Sequence, residues 1–109
     1  LRPRGEATAV SDNYDAVINC TGPERDPERA GNPFLAQLIS EGFATASPFG
    51  LGLEVDTACS PIQTDGVAAN NLFVLGPLTR NRFGEINGIP TIVQQIYRIT
   101  GEVAGIRSE

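Results

Sequence analysis

The chain has 109 residues, of which 40% are hydrophobic and 19% charged, and its 13 acidic residues outnumber its eight basic ones, which gives a net charge of −5. This composition predicts one globular domain rather than a disordered chain. The negative net charge argues against a nucleic-acid partner. No apolar run reaches the ~20 residues that a membrane span requires. The absence of His and Lys excludes His-based triads, His metal sites and a Schiff-base lysine, so we expect no metal site. Two cysteines cannot form a disulfide framework, and the opening residues LRPRGEATAV do not have the pattern of a signal peptide, so we expect a cytoplasmic protein.

The first apolar run, at residues 14–20, predicts a buried strand. Ala16, Val17 and Ile18 are consecutive, and Gly22-Pro23 closes the run. An uninterrupted run of this kind is typical of a strand that is buried on both faces. Residues 6–10 are a further candidate strand.

A short amphipathic helix is predicted over residues 33–41. Asn32 is a suitable N-cap, Pro33 suits the first helical position, and Gly42 stands where a C-terminal capping glycine is expected. The apolar positions of this segment recur at helical spacing: Phe34, Leu35, Leu38 and Ile39.

Residues 43–78 predict shorter extended segments. The alternation of apolar residues over 51–55 indicates a half-buried strand, with an irregular loop around the glycines as the alternative. Asp65-Gly66 predicts a turn, with Ile62 on a partner strand. The run at residues 71–78 predicts a second buried strand that ends at Gly76-Pro77, and a polar loop follows it.

A long amphipathic helix is predicted to begin at Ile89-Pro90. Its apolar face is formed by Ile92, Val93, Ile96, Ile99 and Val103. Gln94 and Gln95 are predicted to lie off this face, in solvent or against another domain.

The order of these elements predicts an α/β fold with a small, mostly parallel sheet and two helices, in a single domain over residues 1–109. Such a sheet is incompletely covered, which predicts self-association of the isolated chain as a homo-oligomer. The incomplete sheet, together with the start at Leu1 rather than Met, also suggests a piece of a longer protein.

Two corners, where a predicted strand ends in glycine, are the candidate ligand sites. They lie in YDAVINCTGP (14–23) and in NLFVLGPLTRNRFGEINGIP (71–90). Ligands of open α/β sheets bind beyond the carboxyl ends of the strands, and the N-terminus of a helix favours an anionic or electron-rich ligand edge. The same pattern is also common at the ends of strands in α/β proteins that bind no ligand there. Neither corner contains the G-x-G-x-x-G motif of dinucleotide-binding sites.

These residues resemble a known family. DAVINCTG (15–22) is similar to the strand ending in Thr-Gly of flavoproteins that carry FAD and a nicotinamide nucleotide, and GLEVD, TDG and NNLFVLGP resemble their last FAD-domain strand. The resemblance is best to bacterial FAD/NAD(P)-binding proteins in which Gly-Pro replaces the usual Gly-Asp. There the chain continues through a Glu and a Pro into a Gln-bearing helix, here GPLTRNRFGEINGIPTIVQQI. The similarity covers about residues 14–100.

The resemblance implies the C-terminal segment of an oxidoreductase, in a partial Rossmann-like domain. Its partner would be the missing N-terminal portion of the same protein, which carries G-x-G-x-x-G, and its cofactors would be FAD and either NAD or NADP. Gly76 and Pro77 would lie against the ribityl and pyrophosphate of FAD. The cofactor-binding residues that the resemblance implies are Thr21, Gly22, Gly76, Pro77, Glu85, Ile86 and Asn87.

The resemblance also implies roles for the remaining residues of this set. Glu85, Ile86 and Asn87 would approach the flavin ring through main-chain N–H groups, and Thr21-Gly22 would lie where the chain passes between the nucleotide-binding regions. Pro77 departs from the family pattern, because it offers neither a side-chain acceptor nor a main-chain donor. No residue is predicted to be a catalytic acid or base, so the segment should be inactive alone.

Arg80 and Arg82 are candidate anion contacts or surface residues. Glu85 is the carboxylate of the second corner that could act as an acid or base, but a structural first-turn residue is the simpler interpretation. The rival to the flavoprotein hypothesis is a stand-alone α/β binding or interaction module that never holds FAD. A further alternative is a thiol redox protein that uses Cys20 and Cys59, although small packing residues are the simpler interpretation.

Overall fold

Helices, turns and irregular coil, with no β-strand, make up the part of the chain that the computed structural model describes, residues 5 and 7–107. The helical elements are α1 (Pro33–Ser40), a 3₁₀ helix (Gly76–Thr79), α2 (Arg80–Phe83) and α3 (Ile89–Arg107). Pairing of extended segments is limited, over these residues, to three isolated antiparallel bridges: Ala46 with Leu53, Val55 with Pro61, and Ile62 with Ala68. The prediction of an α/β, Rossmann-like fold with a mostly parallel sheet is therefore wrong.

The start of α1 confirms the prediction from its capping residues. Asn32 is the N-cap, and its side-chain oxygen accepts hydrogen bonds from the N–H groups of Phe34 and Leu35 at 3.0 and 3.2 Å. Pro33 occupies the first helical position, where its missing N–H leaves no donor unsatisfied.

The end of α1 is closed by Gly42. Its φ of 82° is a left-handed conformation that favours glycine. The N–H of Gly42 donates to the carbonyl of Ile39, and the N–H of Phe43 donates to that of Leu38, both at 3.0 Å. These two bonds form a Schellman motif, which terminates the helix.

The prediction of a buried strand at residues 14–20 is wrong. This segment is extended coil, and its central side chains, Val17 and Ile18, are 82% and 86% exposed. A strand exists only when a neighbouring chain segment completes its hydrogen-bond ladder, and no described segment pairs with this one through main-chain hydrogen bonds. Of the candidate strand at 6–10, residues 7–10 form no strand and residue 6 lies outside the described residues.

Residues 51–55 show the predicted alternation of buried and more exposed side chains, but they do not form the hydrogen-bond ladder of a strand. Leu53 and Val55 are buried and face the core, as expected. Gly50 and Gly52 take positive φ values of 65° and 90°, which break extended pairing before it can propagate. The turn at Asp65-Gly66 is confirmed, because the N–H of Gly66 donates to the carbonyl of Gln63 at 2.9 Å.

The second predicted strand, residues 71–78, is also wrong. Its residues up to Leu75 are extended, and the N–H of Val74 donates to the carbonyl of Cys59 at 2.8 Å. From Gly76, whose φ is 77°, the chain turns into the 3₁₀ helix. Pro77 cannot donate to a ladder, so pairing stops at this point.

The helix that was predicted from Ile89-Pro90 is confirmed as α3, but a different face of it is buried. Ile99 and Gln95 are buried, whereas Val93 and Ile96 are exposed. At about 100° of rotation per residue, positions 92, 95, 99 and 103 share one face and positions 89, 93 and 97 turn away from it.

A small apolar core lies between α1, the bridged segments and α2. Its buried members are Ala44, Leu53, Val55 and Val74, and Leu38, Ile39, Leu78 and Phe83 pack against them. The radius of gyration of 18.0 Å exceeds the roughly 13 Å of a compact chain of this length. Among the described residues, no helix combines the length and apolarity that crossing a membrane requires.

Candidate functional site

The corner at Gly76 is held by a closed ring of buried hydrogen bonds. The side-chain oxygen of Gln95 accepts a bond of 2.8 Å from the N–H of Gly76, and its amide nitrogen donates to Thr79 Oγ1 at 2.9 Å. Thr79 Oγ1 donates in turn to the carbonyl of Gly76 at 2.8 Å. All three residues are buried, so the ring fixes the 3₁₀ helix against α3.

An ion pair lies on the outer side of this corner. Arg80 Nη2 donates to Glu85 Oε2 at 2.9 Å, and the side chain of Arg80 is 12% exposed. Asn87 Nδ2 also donates to Glu85 Oε2, at 3.3 Å. Glu85 is therefore occupied by two donors, which favours the structural interpretation over an acid or base. Arg80 Nε is buried and has no hydrogen-bond partner.

The loop before α3 presents main-chain donors that the described part of the chain does not use. The N–H groups of Ile86 and Asn87 donate to no described acceptor. Gly88 begins the helix, because its carbonyl accepts from the N–H of Ile92 at 3.1 Å and from Thr91 Oγ1 at 2.7 Å. The donors therefore lie just outside the positive end of the α3 dipole.

The corner fits part of the cofactor that the sequence resemblance implies. The free N–H groups of Ile86 and Asn87 suit the electron-rich edge of a flavin ring. Gly76, in contrast, has both main-chain polar groups occupied by Gln95 and Thr79, and Pro77 has no N–H. Gly76 and Pro77 can therefore meet a ribityl or pyrophosphate group only by van der Waals contact.

Thr21 and Gly22 lie in a different place, an open groove of about 760 Å³. The N–H and Oγ1 of Thr21 donate to Asn19 Oδ1 at 3.1 and 2.7 Å. Gly22 has a φ of 75°. The remaining walls of the groove are formed by Pro23, Glu24, Arg25, Asp26, Arg29, Phe49, Gly50 and Leu51.

The charges of this groove partly neutralise one another. The N–H groups of Asp26 and Arg25 donate to Glu24 Oε1 at 3.1 and 2.9 Å. These bonds, with a smaller contribution from Arg29, hold the pKa of the Glu24 carboxyl below its ordinary value. Arg29 Nε lies 3.7 Å from Glu24 Oε2.

The structure thus brings Gly76, Pro77, Glu85, Ile86 and Asn87 to one corner and leaves Thr21 and Gly22 in the other. The two corners are connected through the segment at Leu51–Leu53. The carbonyl of Leu51 accepts from the N–H of Asn81 at 3.0 Å, and the N–H of Leu53 donates to the carbonyl of Leu78 at 2.8 Å. No predicted residue of the second corner lines the groove of the first.

Gln95 is the residue of this corner whose burial the sequence interpretation missed. It was predicted to lie off the apolar face, yet it stands three residues after Ile92 and four before Ile99. That spacing places it on the face of a helix that Ile92 and Ile99 share. A polar side chain at such a position indicates a buried hydrogen-bond partner.

The two cysteines have opposite environments. Cys20 is exposed and Cys59 is buried, and both are free thiols. Burial raises the pKa of the Cys59 thiol, which lowers its reactivity because the thiolate is the nucleophile. Cys59 also has a φ of 64°. In the described residues, no group of three or more His, Cys, Asp or Glu side chains could hold a metal ion.

No family model, curated protein or solved structure matches this chain.

Proposed function

We propose that this chain is the C-terminal, flavin-facing part of an FAD- and NAD(P)-dependent oxidoreductase-like protein of the cytoplasm, and that it is inactive alone. The whole protein would bind FAD and take NADH or NADPH as its reductant. The bound flavin would supply the chemistry, by accepting hydride from the nicotinamide.

The observation that carries the proposal is the construction of the second corner. The buried ring of Gly76, Thr79 and Gln95 is rigid, whereas the main-chain donors of Ile86 and Asn87 are left without a described acceptor. Donors that are fixed before a ligand arrives need no reorganisation to stabilise negative charge. The order and spacing of the flavoprotein-like motifs over residues 14–100 give independent support.

Each residue of the corner has a distinct role in this proposal. Ile86 and Asn87 donate N–H groups to the pyrimidine edge of the flavin, and Glu85 keeps their loop in place through its ion pair with Arg80. Gly76 and Pro77 contact the ribityl region without hydrogen bonds. The pyrophosphate must then be bound by the N-terminal portion of the protein, outside this chain.

The proposal is tested on the full-length natural protein by a matched pair of variants. Ile86→Pro removes the N–H at this position, whereas Ile86→Ala removes the side chain and keeps the N–H. We expect Ile86→Pro to weaken FAD retention by about tenfold, the effect of one hydrogen bond to a charged acceptor, and Ile86→Ala to retain FAD. Circular dichroism shows whether both variants are folded. Equal retention by two folded variants would contradict the role of the donor.

A second candidate function is an interaction module that holds no cofactor. The observation in its favour is the exposure of apolar residues in the segment before α1, where the side chains of Val17 and Ile18 are 82% and 86% exposed. Such a surface is typical of a protein–protein contact. The full reading frame separates the candidates: a glycine-rich strand–helix motif upstream supports the flavoprotein, and its absence supports the module.

A further inference from the structure

Gln95 is a buried amide on a helix whose neighbouring side chains face solvent. It is 4% exposed, whereas Gln94, one residue earlier, is exposed and Ile96 is 45% exposed. Burying an amide is unfavourable unless hydrogen bonds compensate for the lost water. The burial of Gln95 is therefore explained only if its amide forms hydrogen bonds with other buried groups.

The partners of Gln95 are both in the 3₁₀ helix. The amide oxygen and nitrogen bind Gly76 and Thr79, 19 and 16 residues earlier in the chain. Because Thr79 Oγ1 also donates to the carbonyl of Gly76, each bond of the ring orients the next, and a network of this kind specifies one arrangement.

The ring fixes both ends of the loop that carries Ile86 and Asn87. The 3₁₀ helix continues directly into α2, which ends at Phe83, and α3 begins at Ile89. A separate contact joins α3 to α2, since the guanidinium carbon of Arg98 lies 5.7 Å from the ring centroid of Phe83. Without the ring, the spacing of α2 and α3 would be less defined.

On the basis of the proposed function, we propose that Gln95 is a positioning residue: by tying Gly76 and Thr79 to α3, it sets where the main-chain N–H groups of Ile86 and Asn87 meet the flavin. Gln95 touches no cofactor itself. Its effect is transmitted through the spacing of α2 and α3.

The test uses four variants of the full-length natural protein. Gln95→Leu and Thr79→Val each break the ring with little change in side-chain volume. Thr79→Ser keeps the hydroxyl, and Gln94→Leu makes the same substitution at the exposed neighbouring position. Spin labels at Arg82→Cys and Tyr97→Cys, in a Cys20→Ser background, report the distance between α2 and α3 by pulsed electron paramagnetic resonance, with no requirement for FAD.

We expect Gln95→Leu and Thr79→Val to broaden the α2–α3 distance distribution, to weaken FAD binding by about tenfold, and to shift the flavin midpoint potential to more negative values. The potential falls because misplaced donors stabilise the reduced, more negative flavin less well. Thr79→Ser and Gln94→Leu should match the unsubstituted protein in all three measurements.

Unchanged distances in Gln95→Leu and Thr79→Val would overturn the inference. A broadened distance with an unchanged FAD affinity and potential would also overturn it, because Gln95 would then be structural only. Failure of the proposed function has a different signature: the unsubstituted full-length protein itself would retain no FAD.

Discussion

Gly52 lies where three segments of the chain meet. Its N–H donates to the carbonyl of Arg25 at 3.0 Å, and its own carbonyl accepts from the N–H of Ser47 at 2.8 Å. A Cβ atom at this position would lie 2.2 Å from the carbonyl oxygen of Leu78, which is main chain and cannot rotate away. With a φ of 90°, the site demands glycine for both its conformation and its lack of a side chain.

Replacing Gly52 with alanine should therefore destabilise the protein by about 2–5 kcal/mol, the sum of left-handed strain and a main-chain clash. Gly66→Ala is the matched control, because Gly66 has a φ of 82° with nothing within 4 Å of the added Cβ. It should lose only about 1 kcal/mol, from strain alone. Urea denaturation measures both values, and similar midpoints for the two variants would contradict the close approach.

The sequence at the residue scale indicates several of these features but not their partners. The turn at Asp65-Gly66 follows from two adjacent residues, and its hydrogen bonds are local. The tight fit at Gly52 depends on Leu78, 26 residues later. The spacing of Gln95 from Ile92 and Ile99 is local, but its hydrogen-bond partner Gly76 lies 19 residues earlier. Contacts of that range are set by packing, which no local pattern encodes.

At the scale of elements, the two predicted helices are present because their signals are local. A capping residue, a first-turn proline and an apolar face of period 3.6 all act within a few residues of one another. The predicted strands failed for the opposite reason. Residues 14–20 have the composition of a buried strand, but a strand needs hydrogen-bonding neighbours, and the described residues supply none.

The N-cap of α1 provides a test of this local control. Asn32→Ala removes the oxygen that accepts from Phe34 and Leu35 and should destabilise the protein by about 1 kcal/mol. Asn32→Ser retains an acceptor and should lose much less. Thermal unfolding followed by far-ultraviolet circular dichroism distinguishes the two variants. An alanine variant as stable as the original would show that the cap contributes nothing.

The whole molecule is elongated, with extents of 63 × 32 × 23 Å. Exposed apolar side chains lie in the segment before α1, on the outer face of α3, where Ile89 and Tyr97 are exposed, and at Phe34 and Phe49 between them. An open, largely apolar groove of about 600 Å³ is lined by Val10, Ser11, Asp12, Tyr14, Ala16, Val17 and Ile18. Surfaces of this kind associate in water because contact removes apolar area from solvent.

The 109-residue chain by itself should therefore self-associate at micromolar concentration. The double variant Val17→Ser/Ile18→Ser should reduce this association, and Asn13→Ser/Asp15→Ser, in the same segment but outside the lining of the groove, should not. Light scattering gives the molar mass of each. If the unsubstituted chain is monomeric, or if both double variants associate equally, this segment is not the surface through which the chain self-associates.

The central claim is that the second corner faces a flavin, and the visible absorption spectrum of the full-length natural protein, purified without added cofactor, tests it most directly. We predict a yellow protein, longer than 109 residues, whose flavin absorbance is bleached by NADH or NADPH. A colourless protein that takes up no FAD when it is supplied would contradict the claim, and the chain would then be an interaction module.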